Sequence, residues 1–311
     1  MEQPRIGLAL GGGSARGWAH IGVIQALRAQ GIEPSVVAGT SIGALVGAAF
    51  ACGHLDGLEH WVRSLTRREV LRYLDFTLEG GGLIAGTRLI DFFRDHMPVR
   101  AFEELDLPFA CVATELNTGR EVWLQEGDLL DAVHASFALP GLFTPVMHHG
   151  VLLVDGGLVN PVPVSVCRAL GAQIVIAVNL NGDILERFTR RTDSEAKRKR
   201  RKTPAPPNSG LGGALSQWTA RAGALLSQLW EEGDAPERPL VPGLFDVMAG
   251  AINIMQVRIT RSRMAGDPPD IVLTPRLSEI DLMEFHRAEE AIAEGRAAVA
   301  RMSPALEDLF R

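Results

Sequence analysis

A serine stands between two glycines in the segment Gly39-Thr40-Ser41-Ile42-Gly43. A short β-branched run over 35–38 precedes this segment, and a block of small apolar residues over 44–52 follows it. The run predicts a buried strand, and the block predicts a buried helix that ends at Gly53. A serine on such a strand-to-helix turn is a nucleophile elbow, because the glycines leave room for a strained residue and the helix N-terminus favours developing negative charge. Ser41 is therefore the candidate nucleophile.

A second glycine-rich turn, Gly11-Gly12-Gly13, follows a predicted strand over 6–10 and precedes a predicted helix that ends at Gly31. Such a turn presents backbone N–H groups to an anion. A dinucleotide pyrophosphate is one candidate, but Arg16 occupies the third glycine position of that fingerprint, and the next strand ends in Gly39 where an acidic residue would hold the ribose. The oxyanion of an acyl-transfer intermediate fits better, with Arg16 adding positive charge beside it.

The acid that would serve Ser41 is Asp155, which ends a predicted buried strand over 151–154 and precedes Gly156-Gly157. Ligands of open α/β sheets bind at the carboxyl ends of strands. A Ser-His-acid triad needs a histidine after the acid, and the only one there, His286, lies in a polar helix where a surface position is expected. A carboxylate that takes the serine proton directly needs no histidine. The alternative is that Asp155 caps an Asp-Gly turn.

Alternating strands and helices indicate an α/β domain with a largely parallel central sheet. Thr87 is the predicted cap of a helix, after a connection over 75–86 that we expect to be mobile. His20 lies one turn into the first helix, where a structural hydrogen bond is expected rather than a catalytic role. Further strands are predicted over 108–114, 121–124, 174–178 and 270–274, the first two as an antiparallel pair at the sheet edge. Further helices are predicted over 55–65, 87–97, 129–136, 163–170, 245–264 and 282–302.

The 311-residue chain is 46% hydrophobic and 22% charged, as in a globular protein with a sizeable core. Its net charge of −6 gives no reason to expect nucleic-acid binding. The three cysteines lie in apolar runs and indicate buried free thiols in a reducing compartment. No signal peptide or bilayer-spanning stretch is visible, so we expect a cytoplasmic protein with only peripheral membrane contact. His148-His149 has no further ligand at metal-binding spacing, so no metal site is expected.

The composition divides the chain into a core over 1–182, a basic and proline-rich insert over 183–244, and the rest of the same core over 245–311. The insert contains six consecutive basic residues and then an amphipathic helical pattern over 211–230. Residues 190–232 could lie on an anionic bilayer as a peripheral contact. The alternative is a solvated loop and a helix packed on the domain or on a second subunit. Nothing in the sequence indicates an oligomeric state.

Three motifs, in order, resemble those of the patatin-like phospholipases, in particular the small bacterial members. They are Gly11–Gly17 leading into His20-Ile21-Gly22-Val23, the Ser41 segment, and Asp155-Gly156-Gly157. The connecting segments 135–141, 160–163 and 268–271 are similar too, and the resemblance covers about residues 5–180 and 245–305. It implies a three-layer α/β/α fold.

The resemblance also implies the roles of the site residues. Ser41, in the elbow formed with Gly39 and Gly43, would be the nucleophile, and Asp155 would be its base. The N–H groups of the Gly11–Gly13 turn and of Ile42 would form the oxyanion hole, supported by Arg16. The expected reaction is hydrolysis of a fatty-acyl ester of a lipid through an acyl-serine, as in a phospholipase A, lysophospholipase or esterase, without metal or cofactor. Alternatives are acyl transfer to another acceptor and a scaffold with minor activity.

Overall fold

The computed structural model describes residues 4–75, 77, 81–183 and 244–310. By its contacts the chain divides into one unit formed by residues 1–184 and 249–311 and another formed by residues 185–248. The predicted amphipathic helix over 211–230 and the proposed membrane contact over 190–232 lie outside the described residues, and both stay predictions. Among the described helices, none combines the length and apolarity needed to cross a membrane.

Eight strands and nine α-helices make up the described part of the chain. The strands are β1 (Ile6–Leu10), β2 (Val36–Thr40), β3 (Phe109–Glu115), β4 (Glu121–Leu124), β5 (Val146–His148), β6 (Val151–Asp155), β7 (Ile174–Val178) and β8 (Ile271–Leu273). The helices are α1 (Ala19–Ala29), α2 (Ile42–Ala51), α3 (Leu55–Ser64), α4 (Arg67–Tyr73), α5 (Thr87–His96), α6 (Leu129–Phe137), α7 (Val164–Ala169), α8 (Leu244–Gly266) and α9 (Ala288–Leu309).

The strands form one mixed sheet in which β3, β2, β1, β7 and β8 are parallel neighbours. Strands β4 and β6 pair with β3 in the antiparallel direction, and β5 pairs with β6. Leu8 and Leu10 lie in a large core with α1, α2, α6 and α9, whereas Ala9 lies in a smaller core with α7 on the other face. This alternation confirms the predicted three-layer α/β/α fold.

Strands β2 and β6 share one edge of β3. Even-numbered residues on and beside β3 face that edge. The carbonyl of Pro108 accepts a hydrogen bond from a backbone amide of β2, and the amide of Leu116 donates to the carbonyl of Leu152 in β6. The amide of odd-numbered Glu115 donates the other way, toward the hairpin that carries β4. Backbone groups alternate between the two edges of a strand, so β2 and β6 lie on the same side.

The two strands therefore run toward each other along β3. Thr40, the last residue of β2, pairs with Val112, and Asp155, the last residue of β6, pairs with Ala113. The end of β6 thus lies beside the turn that begins at Ser41. Asp155 therefore lies at the carboxyl ends of the parallel strands, as expected, although its own strand β6 runs antiparallel to β3.

Several local predictions were wrong. Helix α4 was missed, although Thr66 and Glu69 form a capping box at its start. Strand β5 was missed as well. Thr87 does not cap α5; the carboxylate of Asp75 does, accepting from the amides of Gly86 at 2.6 Å and Thr87 at 2.8 Å. The predicted antiparallel pair at the sheet edge is confirmed, because among the described strands β4 pairs only with β3, on the side of β3 away from β2 and β6.

Candidate active site

The turn between β2 and α2 holds Ser41 in a strained backbone conformation, with φ +57° and ψ −126°. The glycines on either side are required by close approach. A Cβ on Gly39 would stand 2.5 Å from the Cα of Ala44, and one on Gly43 would stand 2.2 Å from the carbonyl oxygen of Leu10. The turn can be this tight only because neither residue carries a side chain.

The hydroxyl of Ser41 donates to Asp155 Oδ2 at 2.6 Å. The other carboxylate oxygen, Oδ1, accepts from the amide of Gly157 at 2.6 Å. Asp155 is only 1% exposed, and burial raises the pKa of its carboxyl to about 6 against the opposing hydrogen bonds from Ser41 and Gly157. A Cβ on Gly156 would stand 2.2 Å from the carbonyl oxygen of Val112, so this glycine lets the chain leave β6 against β3.

Ser136 joins the two strand ends and was not singled out as a candidate site residue. Its buried hydroxyl accepts from the amide of Ser41 at 2.9 Å and donates to the carbonyl of Val112 at 2.6 Å. Val112 is the residue of β3 beside which β2 ends. A serine within the otherwise apolar inner face of α6 is the signal that could have identified it.

The glycine-rich turn after β1 lies against the elbow. A Cβ on Gly12 would stand 3.3 Å from the Cβ of Ser41. The amide of Gly11 donates to the carbonyl of Val178 at 3.1 Å and that of Gly12 to Pro161 at 3.0 Å. These two amides, predicted as donors to an oxyanion, are therefore occupied.

Two of the predicted donors remain. Among the described residues, no hydrogen bond uses the amide of Gly13 or of Ile42. Gly13, Ser41 and Ile42 all line one cleft. Ile42 is the first residue of α2, where the helix dipole favours negative charge.

Arg16 and His20 hold the first turn by its carbonyl groups. Arg16 is 3% exposed, and its Nε donates to the carbonyl of Gly13 at 3.1 Å. Nε2 of His20 lies 2.7 Å from the carbonyl oxygen of Gly11. Burial lowers the pKa of His20 to about 4, so the ring is neutral near pH 7 and carries its proton on Nε2. The expected hydrogen bond of His20 is present.

The cleft above Ser41 is mostly apolar and has a cavity volume of about 100 Å³. Arg16 and Asp155 are the only charged residues in its described lining. His286 is not part of that lining and lies 3.4 Å from Nε of Arg67. The described residues include no group of three side chains placed to hold a metal ion. Large apolar side chains of the cleft include Trp18, Trp61, Tyr73, Leu89, Phe143 and Phe285.

Residues 8–168 match the family described as Patatin-like phospholipase. An uncharacterized NTE family protein of Mycobacterium tuberculosis is 38% identical, over 98% of this chain and 93% of that protein. Lysophospholipase NTE1 of Pyricularia oryzae is 28% identical, over 93% of this chain and 18% of that protein. Among solved structures, VipD from Legionella pneumophila matches with a TM-score of 0.38 and 14% identity, over 99% of this chain and 77% of that one. Similarity at that level has no bearing on function.

Proposed function

The chain belongs to the patatin-like phospholipase family, a family of lipid hydrolases, and we propose that it is a serine acyl hydrolase that uses Ser41 and Asp155 as a catalytic dyad. The observation that carries the proposal is the 2.6 Å hydrogen bond from Ser41 Oγ to the buried carboxylate of Asp155. A strained serine that already donates to a buried base is arranged to lose its proton as it attacks.

Asp155 acts as the base in the first step. With a pKa of about 6, it is ionised near pH 7 and accepts the Ser41 proton on Oδ2 while Oγ bonds to the ester carbonyl carbon. The carbonyl oxygen becomes an oxyanion that accepts hydrogen bonds from the amides of Gly13 and Ile42. Asp155 then returns the proton to the alcohol oxygen as the ester bond breaks, leaving an acyl-serine.

Water completes the cycle by the reverse sequence. Asp155 accepts a proton from a water molecule, whose oxygen attacks the acyl-serine carbonyl, and the proton returns to Ser41 Oγ as the fatty acid leaves. Asp155 accepts or returns the proton in every proton transfer, so the proposed reaction requires no cofactor.

The lining of the cleft supports a fatty-acyl substrate. Its largest side chains are aromatic and aliphatic, and Trp18, Trp61 and Tyr73 come from three separate elements around it. Burying a methylene of an acyl chain against such a surface contributes about 0.8 kcal/mol. We therefore propose lipids with a fatty-acyl ester as the substrate class.

The test combines activity with covalent labelling. Ser41→Ala should lose more than about a thousandfold of kcat/KM on a lysophospholipid and all labelling by a fluorophosphonate, because nucleophile and base act as a unit. Asp155→Asn should lose nearly as much kcat/KM, since an amide cannot accept the serine proton. The matched control is Ser64→Ala, an exposed serine of α3, which should behave as the wild type. Wild-type turnover or fluorophosphonate labelling retained in a folded Ser41→Ala protein would contradict the proposal.

A further inference from the structure

Helix α8 places two carboxamide side chains, Asn253 and Gln256, in the lining of the cleft. They are three residues apart and so lie on the same face of the helix. Neither residue is part of the Ser41–Asp155 dyad or of the glycine-rich turn. The orientation of each carboxamide is fixed by a neighbour whose hydrogen-bonding role is unambiguous.

The orientation of Gln256 follows from the carbonyl of Gly12. A carbonyl oxygen only accepts, so the Asn181 atom 3.4 Å from it is Nδ2. The same Nδ2 lies 3.0 Å from Gln256, and the atom that faces it is therefore the acceptor Oε1. The amino group of Gln256 must then point away from Asn181.

The amino group of Gln256 points toward the acid motif. Its Nε2 stands 2.4 Å from the position that a Cβ on Gly157 would take, and Asp155 Oδ1 stands 2.9 Å from that same position. The carboxamide of Gln256 thus fills the space that a side chain on Gly157 would need. The amino group lies beside the end of the Ser41–Asp155 pair.

The orientation of Asn253 follows from Arg16. A guanidinium only donates, so the Asn253 atom 3.3 Å from Arg16 Nη2 is Oδ1, and the amino group of Asn253 points the other way. Among the described residues, no hydrogen bond uses Nδ2 of Asn253 or Nε2 of Gln256. Both carboxamides therefore have their acceptors engaged by the protein and their donors available.

We propose that Asn253 and Gln256 donate hydrogen bonds to oxygen atoms of the alcohol half of the ester, the part that leaves when the acyl-serine forms. The proposal rests on the proposed function, which assigns the acyl chain to the apolar lining and the ester carbonyl to Gly13 and Ile42. Two neutral donors whose own acceptors are occupied suit a group rich in acceptor oxygens. A glycerol hydroxyl and a phosphate both have that chemistry.

The experiment compares three substrates with the same lauroyl chain: 2-naphthyl laurate, monolauroylglycerol and lauroyl lysophosphatidylcholine. The naphthyl ester has no acceptor oxygen on its alcohol half beyond the ester itself. Asn253→Leu and Gln256→Met remove each donor at similar volume. Each should lower kcat/KM on an oxygen-rich substrate roughly tenfold more than on the naphthyl ester. The matched control Arg261→Gln, an exposed position of the same helix, should change none of the three.

The substrate that loses more identifies the acceptor: monolauroylglycerol indicates a hydroxyl, and the lysophospholipid indicates a phosphate. An equal fall on all three substrates would show that the carboxamides only support the Gly12–Gly13 turn, and no fall would show that they are idle. Either result overturns this proposal. Fluorophosphonate labelling of the wild type distinguishes failure of the proposed function from failure of this inference alone. An unlabelled Ser41 would overturn both.

Discussion

The turns after β1 and β2 are both glycine-rich strand-to-helix turns, and they prepare the cleft in different ways. In the turn after β2, the backbone strain falls on Ser41, whose side chain is presented to Asp155. In the turn after β1, hydrogen bonds hold both the amides and the carbonyls of the main chain. Carbonyls elsewhere in the chain accept from two amides, and the side chains of Arg16 and His20 donate to two carbonyls.

The difference shows what each turn contributes to the proposed chemistry. The turn after β2 displays a side chain, while the turn after β1 displays a peptide N–H and is held around it by hydrogen bonds. Positive φ does not distinguish them, because Ser14, directly after the β1 turn, also has a positive φ, +52°. Within the described ranges, each turn leaves one amide without a partner at the cleft, that of Ile42 and that of Gly13. Glycine substitutions in the two turns should therefore differ in their effect on the free energy of unfolding.

The largest effect is expected at Gly43 in the turn after β2. The methyl group of Gly43→Ala would meet the backbone of β1, with the oxygen of Leu10 2.2 Å away, and backbone cannot move aside cheaply. We expect a loss of about 4 kcal/mol or more in the free energy of unfolding, or failure to fold. In the other turn, the nearest atom to the methyl group of Gly12→Ala is the Cβ of Ser41, at 3.3 Å, and this change should cost about 1 kcal/mol.

Urea unfolding of the two variants measures this contrast. Gly266→Ala is the control for the added methyl group itself, because nothing lies within 4 Å of the position its Cβ would take. Equal destabilisation by Gly43→Ala and Gly12→Ala would remove the distinction between the two turns.

The two titratable groups that contact these turns, His20 and Asp155, should change the free energy of unfolding with pH in opposite directions. Burial lowers the pKa of His20 to about 4, so its neutral form stabilises the fold above pH 6.5, and that stability is lost as the pH falls toward 4. Burial raises the pKa of Asp155 to about 6, so its protonated form stabilises the fold below pH 3.8, and that stability is lost as the pH rises through 6. Each shift corresponds to about 3 kcal/mol.

Replacing each group by a side chain that does not titrate reveals its effect on the pH dependence of stability. Relative to the wild type, His20→Gln should gain stability as the pH falls from about 6.5 to 4, and Asp155→Asn should lose stability over nearly the same interval. The measurement is the free energy of unfolding in urea at half-unit pH steps. Parallel curves for wild type and both variants would show that neither group titrates as its burial requires.

The sequence predicted the elements of both turns because their signals are local. Apolar runs, an apolar helix face and terminal glycines predicted β1, β2, α1 and α2. The three motifs identified the family that the comparisons confirm. The catalytic roles of Ser41 and Asp155 stay predictions that the 2.6 Å hydrogen bond supports.

Features that depend on partners distant in the chain could not be predicted in the same way. The amides of Gly11 and Gly12 are occupied by carbonyls about 150 or more positions away, at Pro161 and Val178. The position of Asp155 depends on the antiparallel pairing of β6 with β3, and β6 follows the missed strand β5. Local pattern contains no information on either.

A smaller effect than those at Gly43, His20 and Asp155 is expected at Ser136, which holds the turn after β2 as Arg16 and His20 hold the turn after β1. Ser136→Ala leaves the buried carbonyl of Val112 and the amide of Ser41 without their partner. Each unmet buried group costs about 1–3 kcal/mol, and partial relaxation should leave a total loss near 2 kcal/mol in the free energy of unfolding. Because the lost bond holds the backbone of Ser41, kcat should fall about tenfold with little change in KM. Ser136→Thr, which keeps the hydroxyl, should recover kcat if its extra methyl group is accommodated. A stable Ser136→Ala protein with wild-type kcat would mean that the glycines and the strand ends alone fix the elbow, and that only the turn after β1 depends on side-chain support.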